Sequence, residues 1–491
     1  MNYIVAHDFG TTALKAVLFT TQGRLVRSVS VEYPTHRTRG TWAEQDPVDW
    51  WNAFCQANHS LLDEAAHGSV ACVSFDGTYP NCLCLDAAGN ALGRAMIWQD
   101  TRAVEEAEEL TALFPAQRLR HVPGHRLSPD RSLCKLRWVQ KHQPEVFRAA
   151  AMMLPGVVSY ILLRLTGRAV CDFGVAKGTA MLDQKHKTWA EDILALAEVP
   201  RGILPELVDS KDIVGVVPER LADTVGLAAG TKLVAGTCDN LCADIGAGMV
   251  LPGQGYLSLG TSANIAVLDA QGRRAGMATA ATGSSLQWML ETIAAPELER
   301  AKQTGENVYE LVGGLVAQAP AGSRGVLFHP YLAGARSIYN NPEARGSFTG
   351  LTLAADRRDL MRAVVEGIGM NLCLILNDLK TQENPITKLH VVGGMAKSPV
   401  FLQIFADILG AELVRLENGD AAAATGAAVL GGIALGLFED ETAVDRFLVK
   451  EAVFTPDPAR HARYQDTLDL FRSVYEVQQP LYPAFRAGTQ D

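Results

Sequence analysis

Two segments far apart in the chain repeat one pattern. In the first, Tyr3-Ile4-Val5-Ala6 leads through Asp8-Phe9-Gly10-Thr11-Thr12 into Lys15-Ala16-Val17-Leu18-Phe19, with a second turn at Thr21-Gln22-Gly23-Arg24. In the second, Gly255-Tyr256-Leu257-Ser258-Leu259 leads through Gly260-Thr261-Ser262 into Ile265-Ala266-Val267-Leu268, with a turn at Gln271-Gly272-Arg273. Strand-forming residues on both sides of a tight Gly-Thr loop specify a β-hairpin. Stacked repeats recur every ~20–50 residues; this spacing is far longer and marks two domains of related architecture. The 491 residues allow two or three domains, and the 48% hydrophobic content supplies their cores.

Between the hairpins, helical stretches (47–65 with Trp50, Trp51 and Phe54; 102–113) alternate with strands (70–75; 83–85), an α/β layout. The second half repeats the order: a helix over 359–376, a strand over 388–392, a glycine turn at Gly393-Gly394, a helix over 399–409, a strand over 412–416 and an Ala-rich helix over 420–435. Met249-Val250-Leu251-Pro252-Gly253 reads as the connection, giving domains 1–247 and 248–491.

A Gly-Thr hairpin loop turns several N–H groups and hydroxyls toward one point, the donor set a phosphate needs. Two such loops in two halves imply one phosphate chain held between them. Asp8, directly before the first loop, either caps the turn or holds Mg2+ next to that phosphate. Asp239 lies in Ala235-Gly236-Thr237-Cys238-Asp239-Asn240, after the apolar Leu233-Val234. It is either the N-cap of a following small-residue helix or a base for the proton of an attacking hydroxyl. Neither a Gly-x-x-x-x-Gly-Lys-[Ser/Thr] loop nor a protein-kinase motif set is present.

The net charge of -10 disfavours nucleic-acid or anionic-membrane partners. The first residues lack a basic start followed by an apolar run, and no stretch approaches the ~20 apolar residues of a membrane span, so a cytoplasmic protein is expected. Nine scattered cysteines do not form a disulfide framework or a zinc-site spacing; they are expected to be reduced. His7, beside Asp8, is expected to be a buried, hydrogen-bonded histidine.

Several stretches, in order, resemble the FGGY carbohydrate kinases over nearly the whole chain: Asp8-Phe9-Gly10-Thr11-Thr12, Trp42-Ala43-Glu44-Gln45-Asp46-Pro47, Trp98-Gln99-Asp100-Thr101-Arg102, Cys238-Asp239-Asn240, Gly346-Ser347-Phe348-Thr349-Gly350-Leu351 with Asp359 to Glu366, Val391-Val392-Gly393-Gly394 and Thr425-Gly426-Ala427-Ala428. The resemblance implies an α/β fold of two ribonuclease H-like (actin/hexokinase-type) domains with a cleft between them, closing on a small sugar and ATP with Mg2+. It further implies Asp239 as general base, Asp8 as the magnesium residue, and Gly10, Thr11, Thr12, Lys15, Gly260, Thr261, Ser262, Gly393 and Gly394 as nucleotide-binding residues. Tyr79, Asn81, Trp98, Asp100, Asp239 and Asn240 are then the sugar-facing set, and a homodimer is a possible assembly.

Within that family the xylulokinases are most similar, in the Glu-Gln-Asp-Pro segment, Pro330 to Arg336 and Asn340-Asn341-Pro342, which points to D-xylulose as acceptor and D-xylulose 5-phosphate as product. The xylulokinase Gln-Met-His-Gly run is replaced by Thr78-Tyr79-Pro80-Asn81. Proline has neither N–H nor a polar side chain, so sugar recognition must differ there. Asp76, Tyr79 and Asn81 are candidate substitutes, although Asp76-Gly77 also reads as a plain turn. Three alternatives stand beside this reading: a kinase of the same family for another ketose, polyol or sugar acid; an actin-like ATPase; and a non-catalytic sugar or ATP sensor.

Overall fold

In a computed structural model, residues 2–116, 126–260, 262–380, 385–417 and 419–487 are described, with 64, 65, 486 and 487 as backbone only. The chain divides into two compact units: Met1–Gly246 with Ala421–Phe447, and Ala247–Asp420 with Leu448–Asp491.

The sheet of the first unit is built from β1 (Tyr3–Phe9), β2 (Ala13–Thr20), β3 (Leu25–Glu32), β4 (Val70–Gly77), β5 (Ile213–Val216), β6 (Lys232–Val234) and β7 (Thr237–Cys238). Its order is β5-β6-β4-β1-β2-β3, with β7 also pairing β4. Pairing is antiparallel across β1, β2 and β3 and parallel for β1 with β4 and β4 with β6. β1 is central and covered on both faces, which is why Ile4, Val5, Ala6 and Phe9 run apolar almost without alternation and are fully buried. β3, with Arg27, Ser28 and Ser30 exposed, is the polar edge.

The second unit repeats the scheme with β8 (Gly255–Leu259), β9 (Ala263–Leu268), β10 (Arg274–Ala278), β11 (Lys388–Val392), β12 (Glu412–Leu416) and β13 (Lys450–Phe454), in the order β10-β9-β8-β11-β12-β13. Again three antiparallel strands meet two parallel ones and an antiparallel edge. The helix Arg357–Leu379 backs this sheet. Its Glu366 accepts from Gly322 N, Ser323 Oγ, Arg362 Nε and Tyr464 OH, so this part of the C-terminal motif is a structural anchor.

The compact units divide the chain differently from the expected domains 1–247 and 248–491. The small-residue helix Ala422–Ala434 belongs to the first unit, where it packs on β1, β4 and the helix Asp239–Gly246. A Cβ on Gly246 would lie 1.7 Å from the Ala422 carbonyl oxygen, and one on Gly426 would lie 2.0 Å from that of Cys242. Two helices this close require glycine at their crossing, and that contact ties the late segment to the early one.

All nine cysteines are unpaired, in line with the expectation. His7 is buried, shares a 3.0 Å hydrogen bond between Nε2 and Asn58 Oδ1, and packs against Phe54 and Phe75. Burial pushes its pKa down to about 3, so it is a neutral core histidine. Among the described residues no helix is long and apolar enough to cross a membrane.

Candidate active site

Strand register assembles the centre of the first unit. Asp8 on β1 stands opposite Lys15 on β2 and Asp76 on β4, and Asp76 in turn stands opposite Thr237 on β7. Directly opposed residues share a face, so Lys15, Asp8, Asp76 and Thr237 form one row across four strands. Asp76 is fully buried, and its carboxylate oxygens meet no donor beyond a proton shared with Asp8. Burial, reinforced by the negative charge of Asp8, holds its pKa well above the ordinary value. Burial also raises Asp8, opposed by its hydrogen bond with Asp76 and the nearby Lys15 ammonium.

Asp239 follows β7 directly and opens the helix Asp239–Gly246. Its Oδ1 accepts the Asn240 N–H at 2.7 Å, one residue on, whereas a capping side chain accepts from the N–H two or three residues on. Burial pushes its pKa up to about 7, with Asp8 adding to the shift. A carboxylate that takes up a proton near neutral pH suits general-base work. Behind it, Thr237 Oγ1 donates to the buried Asp172 at 2.6 Å, fixing the strand that delivers Asp239.

The loop at Gly10–Thr12 is held from several sides. Gly10 N bonds Ala13 O at 3.0 Å, Tyr33 OH donates to Gly10 O, and Gln45 Nε2 donates to Thr11 O at 2.6 Å. Trp98 Nε1 donates to Thr11 Oγ1 at 3.0 Å, leaving the indole 42% exposed. Trp98 is thus fastened to the loop while keeping a free apolar face, the kind of surface a sugar ring or chain packs on.

The remaining sugar-facing candidates divide into two groups. The Tyr79 phenol lies against Cys238, Asp239 and Asn240, so Tyr79, Asp239 and Asn240 come together. Asn81 is buried and closes its own loop, with Nδ2 on Thr78 O at 3.1 Å, N on Pro155 O at 2.7 Å, and its carbonyl accepting from Ser132 Oγ at 2.6 Å. Its Oδ1 meets no partner. Asp100, by contrast, is fully engaged, accepting from Ala43 N at 2.8 Å and pairing with Arg102 at 2.6 Å. Arg102 also pairs with Glu44 at 2.6 Å and lies over the Trp42 ring. The two Trp-containing motifs are one interlocked scaffold, a purpose their spacing does not reveal.

In the second unit, Gly260 and Gly394 line one cavity of about 440 Å3 with Ser284, Gln287, Tyr309 and Met395, a volume in the range of small-molecule sites (~300–1,000 Å3). Gly393 has φ +104, and a Cβ there would meet the Leu259 carbonyl oxygen at 2.6 Å; only glycine lets β11 turn so close to β8. Ser262 lies exposed after Gly260, and Thr261 lies outside the described residues.

Asp76 and Asp172 are the site residues that sequence reasoning passed over or undervalued. The signal for Asp76 was its position at the end of the strand parallel to β1, one strand from Asp8.

Two units of one topology, a Gly-Thr loop beside buried carboxylates in the first and a glycine-floored cavity in the second define a phosphotransferase of the actin and hexokinase type. The chain belongs to the FGGY family of carbohydrate kinases, whose N-terminal domain matches residues 3–246 and whose C-terminal domain matches residues 256–435. It is an ATP-dependent sugar kinase. The chain is 33% identical to the xylulose kinase of Escherichia coli (strain K12), covering 96% of this chain and 99% of that one. It is 26% identical to the gluconokinase of Bacillus subtilis (strain 168), covering 98% and 97%. The crystal structure of xylulose kinase from Rhodospirillum rubrum superposes with a TM-score of 0.86 at 27% identity, covering 98% and 100%.

Proposed function

We propose that this kinase transfers the γ-phosphoryl group of MgATP to a hydroxyl of D-xylulose, giving D-xylulose 5-phosphate. The observation that carries the reading is Asp239, a half-buried carboxylate two residues past Thr237 in the row of Asp8, Asp76 and Thr237, with its pKa pushed up to about 7. Asp239 takes the proton of the attacking hydroxyl, while Tyr79, Asn240 and the Trp98 face orient the acceptor. Gly10, Thr11, Thr12 and Lys15 are the phosphate-facing groups of the first unit. Gly260, Thr261, Ser262, Gly393 and Gly394 serve the nucleotide in the second.

The donor set fits a magnesium ion. Among the described residues no group of three or more His, Cys, Asp or Glu side chains is arranged around one point, but Mg2+ is commonly held by one or two carboxylates with waters and substrate phosphates. Asp8 and Asp76, whose oxygens meet no other donor, supply that pair. Bound there, the ion neutralises charge that develops on the phosphoryl oxygens.

The replacement of the xylulokinase histidine position by Pro80, together with the gluconokinase relative, supports a second acceptor class, a sugar acid or polyol. ADP release from MgATP against a panel of ketopentoses, pentitols, glycerol, gluconate and tetritols, with an Asp239→Asn control, tests both. Asp239-dependent turnover highest with D-xylulose supports the first reading. A preference for gluconate or a polyol replaces it with the second.

A further inference from the structure

The helix Ser132–His142 carries a buried cation that the mechanism above does not use. Lys135 is fully buried, and its ammonium donates to two backbone carbonyls, Pro80 O at 2.8 Å and Ile97 O at 2.7 Å. Burial pushes its pKa down to about 8. Taking an ammonium out of water is costly, and an apolar side chain of similar length would pack there with less penalty. The charge therefore has to be explained by what it holds.

What it holds are the two segments that carry the acceptor-facing side chains. Pro80 follows Tyr79, and Ile97 precedes Trp98. The same segments are stitched by the Cys82–Met96 backbone pair at 2.9 and 3.1 Å. One turn before Lys135 on its helix, Ser132 Oγ donates to Asn81 O at 2.6 Å. One helix end thus grips the Tyr79 loop twice and the Trp98 segment once. Hydrogen bonds from a charged donor are the stronger kind, and backbone carbonyls are acceptors that no side-chain rotation can withdraw.

We propose that Lys135 is a positioning residue for the acceptor sugar: by bridging the carbonyls beside Tyr79 and Trp98 it sets the separation of the two side chains that face the substrate. The inference rests on the sugar-site placement proposed above. Lys135 does not touch the acceptor. Its ammonium holds the Pro80 and Ile97 carbonyls and no atom of the Gly10–Thr12 loop, so the larger effect is expected on acceptor recognition.

The test is steady-state kinetics of full-length Lys135→Met, Tyr79→Phe and Trp98→Ala, with Km for sugar and for MgATP determined separately and folding followed by thermal melting. Lys135→Met is expected to raise the sugar Km about tenfold or more, as loss of charged hydrogen bonds does, with the MgATP Km within about twofold of wild type. A lowered melting temperature with an unchanged sugar Km would reduce Lys135 to core structure and overturn the inference. If Tyr79→Phe or Trp98→Ala raises the sugar Km while Lys135→Met does not, the site placement stands and the role of Lys135 falls. If none of the three moves it, the placement itself is wrong. Should Lys135→Met fail to fold, Ser132→Ala decides: it removes the adjoining tether alone, and a selective rise in sugar Km supports the proposal while no change overturns it.

Discussion

Asp8 and Asp76 face one another across the parallel pairing of β1 and β4, near enough for their carboxyls to hydrogen-bond. Two buried carboxylates at that separation cannot both ionise without a counter-charge. The Lys15 ammonium opposite Asp8 supplies part of that charge and a shared proton can supply the rest; the magnesium ion proposed above would take the proton's place.

Removing half of the pair weakens cation binding. Asp76→Asn is expected to bind Mn2+ about tenfold more weakly than wild type in the absence of nucleotide, since one carboxylate ligand is lost. Electron paramagnetic resonance titration of free Mn2+ measures this directly. Equal affinity in both proteins would take Asp76 out of the metal site.

Asp239 gives a pH dependence of known sign. Its folded pKa of about 7 lies above the ordinary 3.8, so the proposed base loses its proton around neutrality, and kcat/Km should rise with pH through about 7 and then level. Asp239→Asn should lower kcat by about 10²–10⁴ and remove the rise, with ATP affinity near wild type by calorimetry. A wild-type profile flat from pH 5.5 to 8.5 would contradict this.

Stability moves the opposite way at the same residue. A carboxyl with a raised folded pKa contributes stability that is complete below its unfolded value and lost as pH rises through the folded one. Asp239→Asn should therefore gain on wild type as pH rises from 4 to 8, by about 2 kcal/mol or more at the upper end. Urea melts at the two pH values compare the proteins. A constant difference would show that Asp239 is not perturbed.

Gly393→Ala puts a Cβ 2.6 Å from the Leu259 carbonyl oxygen at φ +104. The expected cost is about 2 kcal/mol or more, with ADP binding weakened because the cavity floor must shift. Thermal melting and ADP titration read the two effects separately. An unchanged melting temperature would mean that the turn relaxes without strain.

Much of the architecture was legible in the residues. The doubled strand–turn–strand unit predicted two sheets of one topology, and β11, β12 and the helix Pro399–Leu409 fall where apolar periodicity and glycine turns placed them. Helix ends were less legible: the first long helix stops at Leu61, not 65, because Leu62 is extended and Asp63 begins a separate short turn of helix. The motif residues were legible as a set but not in their work. Asp100 reads as a possible sugar ligand, yet its oxygens are occupied by Ala43 and Arg102, since a buried carboxylate must find donors wherever the fold supplies them.

The sequence alone determined the duplicated α/β plan, the paired Gly-Thr loops and the likeness to carbohydrate kinases, because these depend on short-range signals: alternation, turn chemistry and contiguous motifs. Tertiary structure decided that residues 421–447 return to the first unit, that Asp76 joins Asp8, and that Lys135 reaches two loops. Each of these brings together groups far apart in the chain, and strand register and helix crossing, which local pattern does not encode, set which groups meet.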